Sequence, residues 1–386
     1  MIALTAAALL TPRERIENPM LLLDGGTIAE VATRGAREIP RGCRTLEFPG
    51  AVLAPAYLDI HIHGGMGHDV MQPDAGGLAR FEAFLAGQGV GAYLPTTVTA
   101  PEDHILRALE FLAGQIEQPA PESGALRARP LGIHLEGPFL SHIRRGVHPS
   151  RLLAVPTLAG FERYWQAARG HLKLLTIAPE IEGAMEVIAE ASRRGVVCSI
   201  GHSDSSFETA KAAIAAGAHH ATHTFNAMRP LDHREPGLLA ALLMDARVTA
   251  DIIADGIHLD PAIVQLFLKV KGEDGAVLIT DAISAAGMPE GRYRLGLFEV
   301  EVKGNECTSG GKLAGSVLRL DQAVRNIMQF AGWQLQKAIR LASANPAAVI
   351  GETRKGVLAP GADADIAVLS PSGEVQKTIL AGRVDT

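Results

Sequence analysis

The spacing of hydrophobic and polar positions changes twice along the chain. Toward both ends, apolar runs of strand length alternate with turns, and the Asp-Gly-Gly step inside "MLLLDGGTIAEV" is typical of a β-hairpin. In between, short apolar runs alternate with longer segments rich in Ala and Leu, such as "GAMEVIAEASRRG", which are typical of helices. Alternating strands and helices imply parallel βαβ units, so the pattern predicts an α/β protein.

The central part of the sequence contains as many strand candidates as a closed barrel needs. They are 57–63, 92–98, 131–136, 172–180, 196–202, 220–225, 248–258 and 276–281. Eight parallel strands with intervening helices predict a (β/α)8 TIM barrel, which we place at residues 53–345. The segment near 291–316 is typical of a β-hairpin insertion. Residues 1–52 and 346–386 are predicted to form one small β-sandwich domain, built from both termini.

Composition narrows the class of protein without changing the predicted fold. The 386 residues are 47% hydrophobic and 20% charged, which is typical of a soluble globular protein. A net charge of −6 and a pI of about 6.2 argue against a nucleic-acid partner. No apolar run approaches the roughly 20 residues that span a bilayer, so no membrane partner is expected either.

Cysteine usage and the first residues bear on the cellular compartment. Cys43, Cys198 and Cys307 are far apart and odd in number, which suits a reducing compartment rather than a disulfide framework. The opening "MIALTAAALL" lacks a basic segment before it, so we interpret it as a strand rather than a signal peptide. A cytoplasmic protein is therefore expected.

Polar side chains that could carry chemistry fall at the ends of the predicted strands. Each has a structural alternative: the histidines of "HIH" could be hydrogen-bonded core residues, and Ser203, Asp204 or Asp281 could cap a following helix. In a (β/α)8 barrel, however, the carboxyl ends of the strands meet at one site. One metal site explains the six residues together better: His61, His63, Glu136, His202, His223 and Asp281.

Glu136 is the least expected of these residues, because it closes the apolar run "LGIHLE" just before a Gly-Pro step. A buried carboxylate is costly unless it is paired, hydrogen-bonded or bound to a metal. Imidazole and carboxylate ligands without cysteine suit Zn²⁺, Fe²⁺ or a similar divalent ion. We therefore expect Glu136 to be a metal ligand, with Zn²⁺ favoured.

On these residues and the segments around them, the sequence resembles the amidohydrolase superfamily and, within it, the deacetylases of N-acetylated amino-sugar 6-phosphates. The segments, in family order, are "HLEGPFL", "GVHPS", "IGHSDSS", "THTFNAM", "ADGIHLD", "LITDAISAAG", "LAGS" and "GADADIAVLS". The resemblance covers essentially the whole chain and implies an amidohydrolase-type barrel. It also implies removal of the acetyl group from N-acetylglucosamine 6-phosphate, giving glucosamine 6-phosphate and acetate, in amino-sugar catabolism and cell-wall sugar recycling.

The same resemblance implies a role for each matching residue near the metal. It implies one metal ion held by Glu136, His202 and His223. His61 and His63 could hold a second ion, with Glu136 bridging, because some family members keep H-x-H and others replace it. A divalent ion lowers the pKa of water toward ~7. Asp281 would be the general acid/base that takes the proton of that water and passes it to the amine leaving group.

The resemblance further implies which residues contact the substrate. Arg234, in "LDHREPG", would hold the phosphate, because a guanidinium grips phosphate with two hydrogen bonds. In the resembled family this arginine reaches the active site of the neighbouring subunit, so a homodimer is expected. The implied substrate-binding residues are Val147, His148, Asn226, Ala227, Arg234, His258, Leu313, Ala314 and Gly315.

Three alternatives remain open on the sequence. The first is the same deacetylation with the galacto epimer, N-acetylgalactosamine 6-phosphate, as substrate. The second is a cyclic amidase of the dihydroorotase type, which usually bridges two metals with a carboxylated lysine after the fourth strand, whereas "LLTIAPE" has no lysine. The third is an inactive relative that keeps only the fold, but such proteins lose metal ligands and this chain has kept them all.

Overall fold

The structure, a computed structural model, describes residues 1–119 and 124–384. Its strands are β1 (Ile2–Leu10), β2 (Arg15–Glu17), β3 (Pro19–Asp24), β4 (Thr27–Thr33), β5 (Arg44–Pro55), β6 (Tyr57–Ile62), β7 (Gly64–Gly65), β8 (His68–Asp69), β9 (Val90–Pro95), β10 (Arg129–Pro130), β11 (Ile133–Glu136), β12 (Leu172–Ile177), β13 (Val197–Ile200), β14 (Ala218–Ala221), β15 (Thr249–Ile253), β16 (Ala276–Ile279), β17 (Gly291–Leu295), β18 (Phe298–Lys303), β19 (Glu306–Ser309), β20 (Lys312–Leu313), β21 (Ile366–Leu369), β22 (Val375–Leu380) and β23 (Arg383–Val384).

The helices fall mainly between the central strands, as the alternating pattern predicts. They are α1 (Ala75–Ala86), α2 (Glu102–Ile116), α3 (Leu158–Ala167), α4 (Ala184–Arg193), α5 (Phe207–Ala216), α6 (Gly237–Met244), α7 (Pro261–Gly275), α8 (Leu320–Ala331), α9 (Leu335–Leu341) and α10 (Ala344–Val349), with a 3-10 turn at Ser150–Leu152. Within the two described stretches of chain, no helix has both the length and the apolar character needed to cross a membrane.

A curled parallel sheet forms the centre of the molecule. Six strands pair in the order β11-β12-β13-β14-β15-β16, and β6, β9 and β10 form a second parallel group. Single bridges join the groups at both gaps: Thr96 pairs with His134, and Ile62 pairs with Ala282. All eight strand candidates of the sequence are strands, so that prediction is confirmed, although several strands end earlier than predicted.

Helix packing against this sheet follows from the sequence. In α4 the buried residues Ala184, Val187, Ile188 and Ala191 are three or four positions apart and therefore share one face, which packs toward the sheet. At the start of α5 the capping residue is Ser206, whose hydroxyl accepts a hydrogen bond from the backbone N–H of Thr209. The idea that Ser203 or Asp204 caps this helix was therefore wrong.

Strands from both ends of the chain share one sheet. Its order is β23-β22-β21-β5-β1-β3-β4, with β2 paired to β1, so residues near the N-terminus pair with residues near the C-terminus. The predicted hairpin is present as β3 and β4, and Gly25 between them has the positive φ of 55° that a tight turn needs. A separate cluster of buried apolar residues packs on this sheet, including Leu4, Leu53 and Ile366.

The insertion near 291–316 is an antiparallel sheet, as the sequence predicts. Strands β17, β18, β19 and β20 pair in that order. Its inner side chains Leu295, Val300 and Val302 pack with Val98, which follows β9, and with Ile283, which follows β16. The insertion therefore lies against the carboxyl ends of the central strands. We refer to residues 291–313 as the insertion sheet.

Candidate active site

The six residues proposed to form a metal site lie together at the carboxyl ends of the central strands. His61 lies in β6, His63 directly follows this strand, and Glu136 is the last residue of β11. The other three stand two residues beyond their strands: His202 after β13, His223 after β14 and Asp281 after β16. All six are buried or nearly so, with Asp281 the most accessible at 9%. The sequence therefore predicted their grouping correctly.

One oxygen of Glu136 faces the histidines of the first strand. Its Oε2 lies 3.4 Å from Nε2 of both His61 and His63. Oδ1 of Asp281 lies 3.0 Å from Nε2 of His63 and 3.5 Å from Nε2 of His61. We call Glu136 Oε2, His61, His63 and Asp281 the Oε2 half of the site.

The other oxygen of Glu136 faces the two histidines that follow β13 and β14. Its Oε1 lies 3.2 Å from Nε2 of His202 and 3.2 Å from Nε2 of His223, and these two nitrogens are 3.0 Å apart. We call Glu136 Oε1, His202 and His223 the Oε1 half. A single carboxylate thus stands between two sets of imidazoles, one oxygen to each set.

Hydrogen bonds on the far side of two rings set their tautomers. Nδ1 of His63 donates to the backbone carbonyl of Thr96 at 2.9 Å, and Nδ1 of His202 donates to that of Arg144 at 3.0 Å. A carbonyl oxygen can only accept, so in each neutral ring the proton is on Nδ1 and the lone pair of Nε2 points into the site. This is the form in which imidazole binds a metal.

The spacing of these atoms also fits a metal. Ligand atoms about 2.1 Å from a tetrahedral ion stand about 3.4 Å from one another. The separations in both halves are 3.0–3.5 Å. His61, His63 and Asp281 form one group able to hold an ion, and Glu136 and His202, together with the nearby His148, form another. Imidazole and carboxylate ligands of this kind can hold a divalent metal.

Charge in the site demands a positive partner. Burial raises the pKa of Glu136, but the charge of His61 and the hydrogen bonds from His202 and His223 outweigh burial and hold this pKa well below its usual range. Burial likewise opposes ionisation of Asp281, yet His61 and His63 lower the pKa of this carboxyl to about 2. Burial lowers the pKa of His63, but hydrogen bonds to Asp281 and Glu136 raise it to about 10. Without an ion, a proton on His63 therefore offsets part of the charge of the two carboxylates.

His148 lies beside the Oε1 half as a neutral imidazole. Burial, followed by the charge of His202, lowers its pKa to about 3. The backbone N–H of Thr99 donates to its Nδ1 at 3.3 Å, and the hydroxyl of Thr99 lies 2.8 Å from the same atom. Because Nδ1 accepts, the proton of this ring is on Nε2, which can donate to an oxygen in the adjoining cavity.

A cavity of about 190 Å³ opens on both halves of the metal site. His63, Glu136, His202, His223 and Asp281 form its floor. Eight of the nine substrate-binding residues predicted from the sequence line it: Val147, His148, Asn226, Ala227, His258, Leu313, Ala314 and Gly315. The structure therefore brings these residues together around the metal site, whereas their individual roles remain predictions.

Two lining residues carry polar atoms suited to a ligand. Nδ1 of His258 lies 2.7 Å from a carboxylate oxygen of Asp255, so the acid orients the ring. The buried Nδ2 of Asn226 has no hydrogen-bond partner among the described residues, although buried polar atoms are normally satisfied. A ligand oxygen in the cavity would supply that partner.

Arg234 is the predicted residue that this chain does not bring to the cavity. It is exposed in the loop before α6, where its backbone N–H donates to Oδ1 of Asp232 at 2.8 Å. Its guanidinium forms no ion pair with any residue in the described parts of the chain. Within one subunit, Arg234 is a free surface cation.

Several residues that support the site escaped the sequence analysis. Asp251 accepts a hydrogen bond from the backbone N–H of His223 and pairs with His220 at 3.0 Å. Arg144, whose carbonyl orients His202, also forms a 2.7 Å ion pair with Asp204. Leu295 of the insertion sheet lines the cavity. The run "RRGVH" and the "SDS" after His202 contain the signal for the ion pair, but only the fold shows that they meet.

Three site residues hold an uncommon backbone conformation. His202, His223 and Asp281 have positive φ angles of 47°, 32° and 50°. Residues with a side chain rarely adopt this left-handed region, and each instance costs on the order of 1–3 kcal/mol. The surrounding structure must hold these turns in place, which is common where side chains are aimed at a functional site.

Imidazoles and carboxylates that converge at the carboxyl ends of a curled parallel sheet, beside a cavity, define the site of a metal-dependent hydrolase. The chain belongs to the amidohydrolase family, whose family model matches residues 52–384.

Named relatives make the comparison more specific. The chain is 36% identical to N-acetylglucosamine-6-phosphate deacetylase of Lysinibacillus sphaericus, over 96% of this chain and 94% of the relative. It is 37% identical to N-acetylgalactosamine-6-phosphate deacetylase of Escherichia coli O157:H7, over 99% and 98%. A structure of N-acetyl-D-glucosamine-6-phosphate deacetylase from Mycobacterium smegmatis, bound to N-acetyl-D-glucosamine-6-phosphate, superposes with a TM-score of 0.92 at 34% identity, covering 99% of this chain and 98% of that one.

Proposed function

We propose that the protein removes the acetyl group from N-acetylglucosamine 6-phosphate, giving glucosamine 6-phosphate and acetate. The reaction belongs to amino-sugar catabolism and cell-wall sugar recycling. The observation that carries the proposal is the cavity in which five of the six converging imidazoles and carboxylates meet His148, Asn226 and His258. Full-length relatives named for this reaction support it.

A divalent ion at the site, Zn²⁺ being favoured, would lower the pKa of water and polarise the acetyl carbonyl. Asp281 supplies the proton transfer. Its carboxyl is ionised, because its pKa is lowered to about 2, and it lies at the edge of the cavity. As general base it accepts the proton of the attacking water, and as general acid it returns this proton to the amine as the C–N bond breaks.

His148 stabilises the oxygen of the attacked carbonyl. Its Nε2 carries the ring proton because its Nδ1 accepts from Thr99. A neutral imidazole that donates a hydrogen bond to a developing oxyanion lowers the barrier without losing its own proton. The low pKa of His148, about 3, keeps it in that neutral form near neutral pH.

The sugar ring lies between the remaining walls of the cavity. Asn226 donates to a ligand oxygen through its otherwise unpartnered Nδ2, and His258, held by Asp255, contacts a sugar hydroxyl. Val147 and Ala227 contact the sugar, and residues 313–315 cover it from the insertion side.

Arg234 binds the phosphate from the neighbouring subunit of a homodimer. Its exposure and lack of an ion pair within the described chain support a role outside its own cavity. Arg234→Ala should raise KM for the phosphorylated substrate about tenfold and leave activity on the unphosphorylated sugar nearly unchanged. Arg107→Ala, on the outer surface of α2, is the control.

Subunit exchange tests the shared site separately. A heterodimer of Arg234→Ala and Asp281→Asn chains would contain one site with both native residues. Activity at low substrate concentration should return after verified exchange. If it does not, Arg234 acts within its own chain or not at all.

The galacto epimer, N-acetylgalactosamine 6-phosphate, is the second candidate substrate. It is favoured by the Escherichia coli relative, which matches this chain as well as a relative named for the gluco epimer does. A cyclic amidase of the dihydroorotase type has less support, because no lysine follows β12 and Glu136 already stands between the two halves of the site.

Deacetylation rates on both epimers and on unphosphorylated N-acetylglucosamine, with metal content measured on the same sample, test the proposal. We expect the highest kcat/KM on N-acetylglucosamine 6-phosphate. Higher kcat/KM on the galacto epimer would select the second candidate, and no release of acetate from any of the three would refute both.

We also propose that the chain forms a closed barrel and a separate terminal domain. The eight central strands close into a (β/α)8 TIM barrel of amidohydrolase type at residues 53–345, which the single bridges at both gaps support. Residues 1–52 and 346–386 form one β-sandwich domain, supported by their shared sheet and separate apolar cluster. The protein works in the cytoplasm, in keeping with its three free cysteines.

A further inference from the structure

The insertion sheet supplies one wall of the cavity. Leu295 and Leu313, at the ends of β17 and β20, and the following Ala314 line it. The ring of Phe298 contacts the ring of His148, with 6.3 Å between their centroids. The turn of residues 295–298, between β17 and β18, therefore touches both the cavity and a residue of the proposed mechanism. We call this turn the insertion tip.

Two hydrogen bonds fasten the insertion tip to the segments that follow the metal site. The buried carboxylate of Asp69 accepts from the backbone N–H of Gly296 at 2.5 Å and from that of Met71 at 2.8 Å. The hydroxyl of Ser284 donates to the carbonyl of Arg294 at 2.5 Å. Asp69 lies six residues after His63, and Ser284 lies three residues after Asp281.

The backbone at Gly296 packs so closely against Val98 that there is no room for a side chain. Gly296 has a φ of 56°, and a Cβ atom there would lie 2.5 Å from Cγ2 of Val98, which also lines the cavity. Only glycine brings the backbone this close to the wall. With no side chain at residue 296 to pack, the backbone of Gly296 itself is held by its hydrogen bond to Asp69.

We propose that Asp69 is a positioning residue that holds the insertion tip, and with it Leu295, against the substrate cavity. The expected change in kinetics rests on the proposed deacetylase function. The tether itself, meaning the hydrogen bond from the backbone N–H of Gly296 to Asp69, does not depend on the reaction. Asp69 does not line the cavity, and its carboxylate oxygens accept from the backbone of Gly296 and Met71 rather than from a metal-site side chain. Its loss should therefore weaken substrate binding and leave the chemical step largely intact.

Asp69→Leu removes the hydrogen bond to the insertion tip with little change in size. Leucine has no accepting atom, so the backbone N–H groups of both Gly296 and Met71 lose their acceptor. Glu301→Gln is the matched control, because it removes the same charge from an exposed position of the same sheet. Hydrogen exchange of the amides of 294–298, metal content, KM and kcat are measured for both variants.

We expect faster exchange at 294–298 in Asp69→Leu only, a KM about five- to tenfold above that of the parent, kcat within about threefold, and unchanged metal content. Exchange like that of Glu301→Gln, or a fall in kcat at unchanged KM, would overturn the proposal. If Asp69→Leu does not fold, Gly296→Ala displaces the tip without touching the carboxylate and must raise KM in the same way. If the parent protein releases no acetate, the proposed function fails. Hydrogen exchange would still show whether Asp69 holds the insertion tip in place.

Discussion

The two halves of the metal site differ in how the fold holds them. In the Oε2 half, His61 lies in β6 and His63 directly follows it, so their two-residue spacing places them on one face, and only Asp281 of this half has a positive φ, of 50°. In the Oε1 half, His202 and His223 lie in turns after their strands with positive φ angles of 47° and 32°. Holding His202 and His223 at positive φ costs free energy, which the rest of the fold must offset. The two histidines of the Oε2 half carry no such cost.

The two halves also differ in the charges of their side chains. The Oε2 half contains a second carboxylate, Asp281, and a proton on His63 can balance its charge because the pKa of that ring is raised to about 10. The Oε1 half contains no carboxylate besides Glu136, and His148 beside it stays neutral with a pKa lowered to about 3. We infer that the Oε1 half is the essential metal position and that the Oε2 half can work with a proton or a second ion.

Loss of the carboxylate shared by both halves should have the largest effect. Glu136→Gln should remove the metal from both positions and lower kcat/KM by more than roughly 10⁴-fold, beyond what loss of a general acid–base alone costs. Metal analysis and steady-state kinetics measure both effects. Glu82→Gln is the matched control, because Glu82 is a buried carboxylate far along α1, hydrogen-bonded to Tyr93. Full metal occupancy in Glu136→Gln would show that Glu136 is not a ligand.

Asp281 belongs to the Oε2 half but is proposed to act on protons. Asp281→Asn should keep the metal of the Oε1 half and lower kcat by roughly 10²–10⁴-fold, which is the usual contribution of general acid–base catalysis. Rates and metal content are to be measured on one preparation. Turnover within a few-fold of the parent would remove Asp281 from the mechanism.

Replacing His61 and His63 tests whether the Oε1 half alone is the essential metal position. His61→Asn combined with His63→Asn should leave one ion bound and reduce activity by about tenfold or less, because the Oε1 half remains complete. His202→Asn is the counterpart, and it should abolish both metal binding and activity. Equal losses in the two variants would mean that neither half is dispensable.

The smallest effect concerns the proton on His63 in metal-free protein. Its pKa rises from 6.5 to about 10 on folding, so its stabilisation is complete below 6.5 and disappears as pH rises toward 10. The pKa of Asp281 falls from 3.8 to about 2, so its stabilisation is complete above 3.8 and disappears as pH falls through 2. The Tm of metal-free protein should therefore be highest between about pH 4 and 6.5.

Thermal unfolding at several pH values checks this prediction. Added metal, or His63→Asn, should flatten the alkaline decline, whereas His104→Asn on the surface of α2 should not. An alkaline decline that persists in His63→Asn would assign it to another group.

Sequence reasoning predicted best those features that repeat or that follow from strand direction. The eight central strands, the β3–β4 hairpin and the insertion sheet follow from local apolar patterns and turn residues, and all are present. Placement of His61, Glu136 and Asp281 at one edge follows from parallel strands whose carboxyl ends meet. Local pattern and topology were sufficient for these features.

Contacts between distant segments could not be read from the chain. Thr99 sets the tautomer of His148 across 49 residues, and the Asp69–Gly296 hydrogen bond joins residues 227 apart. Ser203 and Asp204 were possible helix caps because both residue types suit that position, yet Ser203 instead donates to Glu180 at 2.7 Å. The local sequence permits more than one role for each of these residues. Contacts with residues far away along the chain determine which role each one has.

Titration of metal-free protein with Zn²⁺ tests the central claim most directly, namely that the Oε1 half holds the metal needed for deacetylation. Bound metal and the initial rate of acetate release from N-acetylglucosamine 6-phosphate are measured at each addition. We predict no activity without metal and nearly full activity at about one equivalent per subunit, both in the parent protein and in the variant with His61→Asn and His63→Asn. Activity that survives complete metal removal, or that appears only with the second equivalent, would contradict this account.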